Sequence, residues 1–264
     1  MKKLHKILII SLVIFLPLQA FSWGMIGHRV IGQIAYSHMT EKARLAVKEI
    51  LGNESLALSS TWADFIRADS NYNYLSPWHY VNFAPGLDFD GFNAFLKQDT
   101  AVDAYTKINL CIKELKKGNI SPDQKKLYLR MLVHMLGDVH MPYHTGRADD
   151  KGGNGIHVLW FNQPTNMHAI WDGNMIDDQK LSYTEYVEAI NFSTSAQRQE
   201  WEKGGLNTWL FDSYQIVEKL YKTDPIQPNQ KLGYNYTFKY IETVNQQLLK
   251  AGVRLAYVLN SIFK

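Results

Sequence analysis

The stretch VHMLGDVHMPYH, residues 133–144, decides the fold class of this chain. It closes a segment whose apolar spacing predicts a helix over 122–140. His134 and Asp138 stand four residues apart, so a helix places both side chains on one face, one turn apart. A third ionisable group, His144, follows just after the proline at which the helix should end. Because the surrounding residues are strongly apolar, we expect these groups to be buried and to need partners, which a metal ion supplies.

Most of the remaining chain also has a helical pattern. Thr40 is a suitable N-cap and Gly52 a stop for one helix, and Ser121-Pro122 begins another with proline at its first position. IHVLWF, residues 156–161, is the one convincing β segment. The predicted helices cover 26–38, 41–51, 62–69, 100–117, 122–140, 182–190, 205–222 and 234–262. Without a repeat or a long linker, the sequence predicts a single, mainly α domain.

The N-terminal segment has the pattern of an export signal. Three lysines precede an apolar run over 7–18, and QAFS at 19–22 has small residues where a signal peptidase cuts. We therefore expect a signal peptide over 1–22 and an exported domain, periplasmic or secreted, over 23–264. The alternative is an uncleaved anchor helix, although the run is short for a membrane span. After cleavage we expect no stable membrane insertion.

Charge and cysteine content limit the kinds of partner. The chain carries 28 Lys+Arg and 25 Asp+Glu, and loss of the three signal-peptide lysines brings the formal net charge from +3 to zero. No overall basic field would then attract nucleic acid, so affinity for an anion has to come from a local site. Cys111 is the single cysteine, cannot form an internal disulfide, and falls on an apolar helical face as a packed thiol.

Histidines and aspartates at metal-ligand spacing carry the chemistry. A second pair four residues apart lies in MHAIWD, residues 167–172. Nitrogen and oxygen ligands without thiolate suit zinc in an open, catalytic arrangement, and eight ligands are too many for one tetrahedral ion. Two or three clustered ions stabilise both the attacking and the leaving oxygen of a phosphoryl displacement. The candidate ligands are His28, Asp64, His79, His134, Asp138, His144, His168 and Asp172; the predicted non-ligands are His38, His140 and His157.

Six motifs together resemble the S1/P1 nuclease family of zinc-dependent, single-strand-specific nucleases and 3′-nucleotidases. They occur in the family's order and span most of the chain after residue 22. They are WGMIGH at 23–28, WADFIR at 62–67, WHYVNF at 78–83, HMLGDVHMPYH at 134–144, KGGN at 151–154 and HAIWD at 168–172. Bacterial zinc phospholipases C share the fold but resemble this chain less, because they have a wider gap before the first histidine and Glu in place of Asp172.

The resemblance implies a helical phospholipase C/P1 nuclease-like fold with a small β-hairpin and three zinc ions. The first ion would be held by Asp64, His79, His134 and Asp138, the second by His144, His168 and Asp172, and the third by Trp23, His28 and the second oxygen of Asp138. Trp23 would bind through its free α-amino nitrogen and its carbonyl oxygen, so this site would form only after signal cleavage. An amide nitrogen is a poor ligand, and the amine has to lose its proton to bind.

The resemblance also implies an endonuclease that cleaves single-stranded DNA and RNA to 5′-phosphorylated products, with 3′-nucleotidase activity on nucleotides. A zinc-activated water would be the nucleophile, with Asp64 as its orienting group and Arg67 and Asn154 on the phosphate oxygens. Tyr80, Asn82 and Phe83 are the candidate base-binding residues. The family often has Phe and Asp at the first two of these positions, so base preference stays open, and the two aromatic rings also fit a purely structural role in the core.

Two other functions fit the same residues. One is a phospholipase C-like phosphodiesterase, and the other is a non-catalytic, zinc-binding exported protein. Arg67 counts against the second, because zinc storage needs no phosphate-binding cation beside a ligand. A monomer is the favoured state, although no sequence feature fixes the oligomer.

Overall fold

The computed structural model describes residues 23–264, so the predicted signal peptide over 1–22 lies outside the described residues. The fold is mainly helical, as predicted. Its α-helices are α1 Met25–His38, α2 Glu41–Leu51, α3 Leu56–Ser59, α4 Trp62–Phe65, α5 Phe89–Gln98, α6 Ala104–Lys117, α7 Pro122–Asp138, α8 Met167–Ala169, α9 Met175–Asp177, α10 Tyr183–Ile190, α11 Ser195–Glu202, α12 Gly205–Thr223 and α13 Tyr234–Ile262. Within residues 23–264, no helix combines the length and apolar character that crossing a membrane requires.

The ends of the long helices are set by local capping. The Thr40 side chain accepts a hydrogen bond from the backbone of α2, and Gly52 ends that helix with φ 70°. At the start of α7, Ser121 and Gln124 form a reciprocal capping box around Pro122. These caps are short-range features, which is why the sequence predicts both helices to within two residues.

The two terminal helices pack against each other and support the ligand-bearing helix α7. Gly252 on α13 lies against α1, and a Cβ there would stand 2.5 Å from Ile34 Cγ2. The close crossing brings α1 beside the second half of α7, where every residue from Met131 to Asp138 is buried. Ionisable groups on that part of α7 are therefore removed from water.

A small sheet follows the loop after α7. Strands β1 (His157–Trp160) and β2 (Gln163–Asn166) form the predicted hairpin, and Phe161 and Asn162 have the positive φ angles of a type I′ turn. A third strand, β3 (Lys231–Leu232), pairs parallel to β1. After β2 the chain continues directly into α8, which carries the candidate ligand His168.

Several short elements differ from the predicted pattern. The predicted helix over 62–69 is α4 followed by a 3-10 turn at Ile66–Ala68, and α6 begins at Ala104 because Asp103 caps it. Five of the described α-helices, α3, α5, α8, α9 and α11, have no counterpart among the predicted helices. Further 3-10 segments cover Ser70–His79 and Pro142–Thr145, and a π-helical turn covers Ile170–Asn174.

Candidate metal centre

The eight candidate side chains converge from separate elements onto one buried region. They come from α1, α4, α7, α8, the two long 3-10 segments and the π-helical turn. Three groups of ligand atoms have every member within 4.8 Å of the others, namely His28 with Asp64 and His134, His79 with His134 and Asp138, and His144 with His168 and Asp172. Because His134 belongs to two groups, these two form a continuous cluster.

Asp138 lies at the middle of this cluster and uses both carboxylate oxygens. Oδ2 lies 3.1 Å from His79 Nδ1 and 3.2 Å from His134 Nε2, whereas Oδ1 lies 3.3 Å from His28 Nε2 and 4.0 Å from His144 Nδ1. Two ligands of one tetrahedral zinc stand about 3.3 Å apart, given zinc–nitrogen bonds of about 2.0–2.1 Å. The first three separations match that spacing, so each oxygen of Asp138 has an imidazole nitrogen at the distance that two ligands of one metal ion would have.

His144, His168 and Asp172 form the neighbouring group. His144 Nε2 lies 3.8 Å from Asp172 Oδ1, and His168 Nε2 lies 3.9 Å from Asp172 Oδ2. Asp172 belongs to the π-helical turn, a feature that occurs often at functional sites. The two imidazole rings are stacked with centroids 4.9 Å apart, and both present Nε2 to the same carboxylate.

Backbone carbonyls fix the orientation of three of these histidines. His134 Nδ1 donates to Ser60 O, His144 Nδ1 to His79 O and His168 Nδ1 to Gly152 O, at 2.7, 2.6 and 2.8 Å. A carbonyl can only accept, so Nδ1 carries a proton in each of these rings, and Nε2 is the nitrogen that faces the cluster. Metal-binding histidines are commonly held by this kind of contact.

The donor set fits bound cations. Among the buried ligand atoms described within residues 23–264, His144 Nε2 and both carboxylate oxygens of Asp172 have no hydrogen-bond partner. An unsatisfied buried polar atom costs about 1–3 kcal/mol. Burial and the nearby carboxylates of Asp64 and Asp138 raise the pKa of Asp172 well above its ordinary value. Positive charge at this point would satisfy the orphan atoms and relieve the repulsion between the carboxylates.

The histidines respond to burial in different ways. Burial lowers the pKa of His144 to about 3, so this imidazole is neutral and its lone pair is available to a metal. For His134 burial also disfavours the cation, but Asp138 and Asp64 outweigh it and raise the pKa to about 9. A metal ion between these carboxylates and His134 would replace the proton that makes this imidazole cationic, so metal binding here would release a proton.

Trp23 is anchored between the two carboxylate-bearing segments. Its indole is fully buried, and Nε1 donates to Gly137 O at 2.8 Å, next to Asp138. The following residue, Gly24, donates its backbone N–H to Asp172 O at 2.6 Å. Gly137 also lets His28 come close, because a Cβ there would stand 3.1 Å from His28 Nδ1. Trp23 and His28 therefore both lie against the end of α7 that carries Asp138.

A cavity of about 260 Å³ opens beside the cluster. Its wall includes the ligands His79, His144 and His168, and its other lining residues are Arg67, Ser76, Tyr80, Asn82, Tyr143, Ala148, Lys151, Gly152 and Asn154. A broader cleft of about 1120 Å³ lies elsewhere, between α12 and the segment before α5, and contains none of the candidate ligands. The smaller cavity is therefore the one in which a substrate would meet the metal centre.

The three predicted base-binding residues have different positions. Tyr80 is 44% exposed and lines the cavity together with Asn82. Phe83 is only 3% exposed, and its ring lies against Phe92 and Tyr214 with centroid distances of 4.3 and 5.6 Å. The backbone alternates after Tyr80, so Phe83 turns into the core. Phe83 is a packing residue, and its predicted contact with a base is corrected accordingly.

The two predicted phosphate-binding side chains both reach the cavity. Arg67 Nη1 lies 3.5 Å from Asp64 Oδ1, one turn away. Asn154 Nδ2 donates to Lys151 O at 2.9 Å, which leaves its second amide hydrogen for another acceptor. The motifs identify these two residues. The KGGN motif contains Lys151 but gives it no role, and no motif includes Ser76, which lies in the 3-10 segment Ser70–His79.

The histidines predicted as non-ligands lie outside the three ligand groups. His38 Nε2 contacts Asn191 Oδ1, and His157 is exposed on β1. His140 is fully buried, and its Nε2 accepts from Arg254 Nη1 at 3.1 Å. Cys111 is a buried thiol, and burial raises its pKa to about 12.

Comparison with known proteins settles the family. The model of the S1/P1 Nuclease family matches residues 23–264, which include every candidate ligand. This chain belongs to the S1/P1 nuclease family. It is 30% identical to Endonuclease 2 of Arabidopsis thaliana over 99% of this chain and 98% of that protein. It is 28% identical to Nuclease S1 of Aspergillus oryzae, over 92% of each chain, and 25% identical to Nuclease P1 of Penicillium citrinum, over 91% of this chain and 97% of that one.

Membership of the S1/P1 nuclease family makes this protein a nuclease, a hydrolase that acts on phosphodiester bonds. Three groups of buried His and Asp ligands that could hold metal lie inside the matched region. The predicted family and the predicted mainly α fold are thus confirmed.

Proposed function

We propose that this protein is a trinuclear zinc endonuclease that cleaves single-stranded DNA and RNA to 5′-phosphorylated products and also acts as a 3′-nucleotidase. The observation that carries the proposal is the arrangement around Asp138, whose two oxygens face separate sets of imidazoles beside a cavity lined by Arg67. Single-stranded nucleic acid presents what such a site would take, a phosphodiester next to an unpaired base.

The three ions would be divided among the ligands as the family resemblance implies. One set is Asp64, His79, His134 and Asp138; the second is His144, His168 and Asp172; the third is Trp23, His28 and Asp138. When bound, zinc makes water ionise near neutral pH and stabilises negative charge on phosphate oxygens. The nitrogen and oxygen donors favour zinc over softer or harder cations.

The protein's own side chains would complete the reaction. Asp64, which belongs to one of the three ligand groups, would orient the attacking water and accept its proton. Arg67, held by its ion pair with Asp64, would donate to the phosphate oxygens as negative charge develops, and Asn154 would add a hydrogen bond. The burial of the cluster strengthens these electrostatic contacts.

Tyr80 is the proposed stacking platform for an unpaired base. We expect Tyr80→Ala to raise the KM for a 3′-nucleotide or short oligonucleotide by about tenfold, because stacking on an aromatic side chain contributes about 1–3 kcal/mol per base. Steady-state kinetics on single-stranded DNA would measure the change. Tyr257→Ala is the matched control, since Tyr257 on α13 is similarly exposed, at 45%, and does not line the cavity. Equal effects of both variants would contradict the stacking role.

Parallel assays test the proposed function directly. Protein that begins at Trp23 is given denatured DNA, RNA, a 3′-nucleotide and phosphatidylcholine vesicles, and its zinc content is measured by elemental analysis. We expect cleavage of the nucleic acids with about three zinc ions per chain, by the ligand count. Turnover of lipid without nucleolysis would instead identify a phospholipase C-like enzyme. Full zinc loading without any hydrolysis would indicate a zinc-binding protein.

The proposed function includes export of the protein from the cytoplasm. Residues 1–22 would be removed as a signal peptide, and the nuclease domain over 23–264 would act in the periplasm or outside the cell as a monomer. The buried position of the Trp23 indole supports this cleavage site, because the side chain is already packed against α7 at Gly137. N-terminal sequencing of the secreted protein should give Trp-Gly-Met.

A further inference from the structure

A lysine on the wall of the cavity has no role in the proposed reaction. Lys151 lines the cavity and has no acidic partner there. Among residues 23–264, no carboxylate stands within ion-pairing distance of its ammonium group. The nearest acids in sequence, Asp149 and Asp150, accept hydrogen bonds from other donors, namely the Asp150 N–H and the Tyr221 hydroxyl. An unpaired cation beside a metal-lined cavity is free to take an anionic part of the substrate.

The loop holds Lys151 in a defined place. Its backbone is in the left-handed region with φ 55°, an uncommon conformation for a lysine. Hydrogen bonds on both sides maintain it, since Lys151 N donates to Ala148 O and the Asn154 side chain donates to Lys151 O. Gly152, the next residue, accepts from the ligand His168, so the lysine is tied to the metal centre through one peptide unit.

The size of the cavity leaves the rest of a strand outside it. At about 260 Å³ it lies just below the usual range of small-ligand pockets, so it takes one base and the scissile phosphate. Arg67 and Asn154 already serve that phosphate. A strand of two or more linkages carries a further phosphate next to the scissile one, and Lys151 stands on the same wall as Asn154.

We propose that Lys151 forms a second phosphate subsite, which binds the phosphate adjacent to the scissile one in a single-stranded nucleic acid. The inference rests on the proposed nuclease function and adds a reason for the enzyme to prefer strands over dinucleotides. A lysine contact to phosphate carries no base specificity, so this subsite would strengthen binding to every sequence alike.

Defined short substrates test the subsite. The first is a dinucleotide with one internal phosphate, the second is its 5′-phosphorylated form, and the third is a trinucleotide whose two linkages are scored separately. In the native enzyme an added neighbouring phosphate should raise kcat/KM by up to about fivefold, the upper range for an exposed ion pair. Lys151→Gln should lose this advantage and Lys151→Arg should keep it. Comparing the substrates also shows whether the second phosphate binds on the 5′ or the 3′ side of the scissile one, because each substrate places the added phosphate differently.

A second measurement uses salt. For long single-stranded DNA, Lys151→Gln should make the slope of log kcat/KM against log salt concentration shallower by about 0.7, the value for one phosphate contact in a single strand. Lys113→Gln on α6 is the matched control, since this exposed lysine makes the same change in net charge and does not line the cavity. It should keep both the slope and the advantage.

Three results would overturn the subsite. They are an advantage that survives in Lys151→Gln, an equal loss on all three substrates, and a native enzyme that gains nothing from a neighbouring phosphate. A native, zinc-loaded enzyme that cleaves none of the substrates would overturn the proposed nuclease function itself, and the subsite with it.

Discussion

Asp138→Asn should lower nuclease activity by at least about a thousandfold. The two oxygens of Asp138 face different imidazoles, His79 and His134 on one side and His28 on the other, so its loss would weaken two of the proposed ion sites together. Removing several kcal/mol of charge stabilisation from a phosphoryl displacement corresponds to a rate loss of this size. The measurements are kcat/KM on denatured DNA and the ratio of zinc to protein, which should fall by more than one ion per chain.

The control is the same substitution at the other end of the same helix. Asp123 is exposed in the first turn of α7, and Asp123→Asn should keep activity and zinc content. Circular dichroism of both variants separates loss of metal from loss of fold. If Asp138→Asn stays fully loaded and active, the bridging role is wrong.

One extra residue before Trp23 should remove one zinc ion and lower activity by about a hundredfold, while the fold stays intact. The extension converts the α-amine into an amide, which is a poor zinc ligand, but the indole keeps its hydrogen bond to Gly137. Elemental analysis and kinetics on the extended protein measure the two losses. This prediction also explains why the metal centre would need export to be completed.

A removable extension provides the control for Trp23. A protease that cuts directly before Trp23 regenerates the free amine, and zinc addition should then restore the third ion and the activity. An extended protein that already holds all its zinc and is fully active would show that Trp23 is not a ligand. The other ligands would still support a nuclease with fewer ions.

The long, strongly patterned elements could be predicted from the sequence, because their signals are local. The caps of α2 and α7 and the periodicity of α13 gave these helices with nearly correct bounds. The short α3 has too few residues for a periodic pattern, and α5 contains Gly91 and a dense aromatic run that conceal its helical period. Strand β3 has two residues and pairs with a strand about seventy positions earlier, so no local signal marks it.

The candidate ligands could be found because their chemistry limits the choice of residue type and spacing. The contacts that orient the histidines could not be predicted from the sequence. The carbonyls of Ser60 and Gly152, which accept from His134 and His168, belong to backbone groups that no side-chain pattern marks. The burial of Phe83 depends in the same way on Phe92 and Tyr214, which arrive from later helices. Long-range packing decides these details.

The support behind α7 has a consequence for the order of events during synthesis. Helix α13 packs against α1, and its Arg254 and Gln247 bind His140, two residues beyond Asp138. The chain therefore has to be synthesised as far as α13 before α1 and His140 gain these contacts. A nascent chain that already carries every proposed ligand from Trp23 to Asp172 would still lack the contacts of α13 with α1 and His140, so we expect complete metal loading only after the last helix has been made.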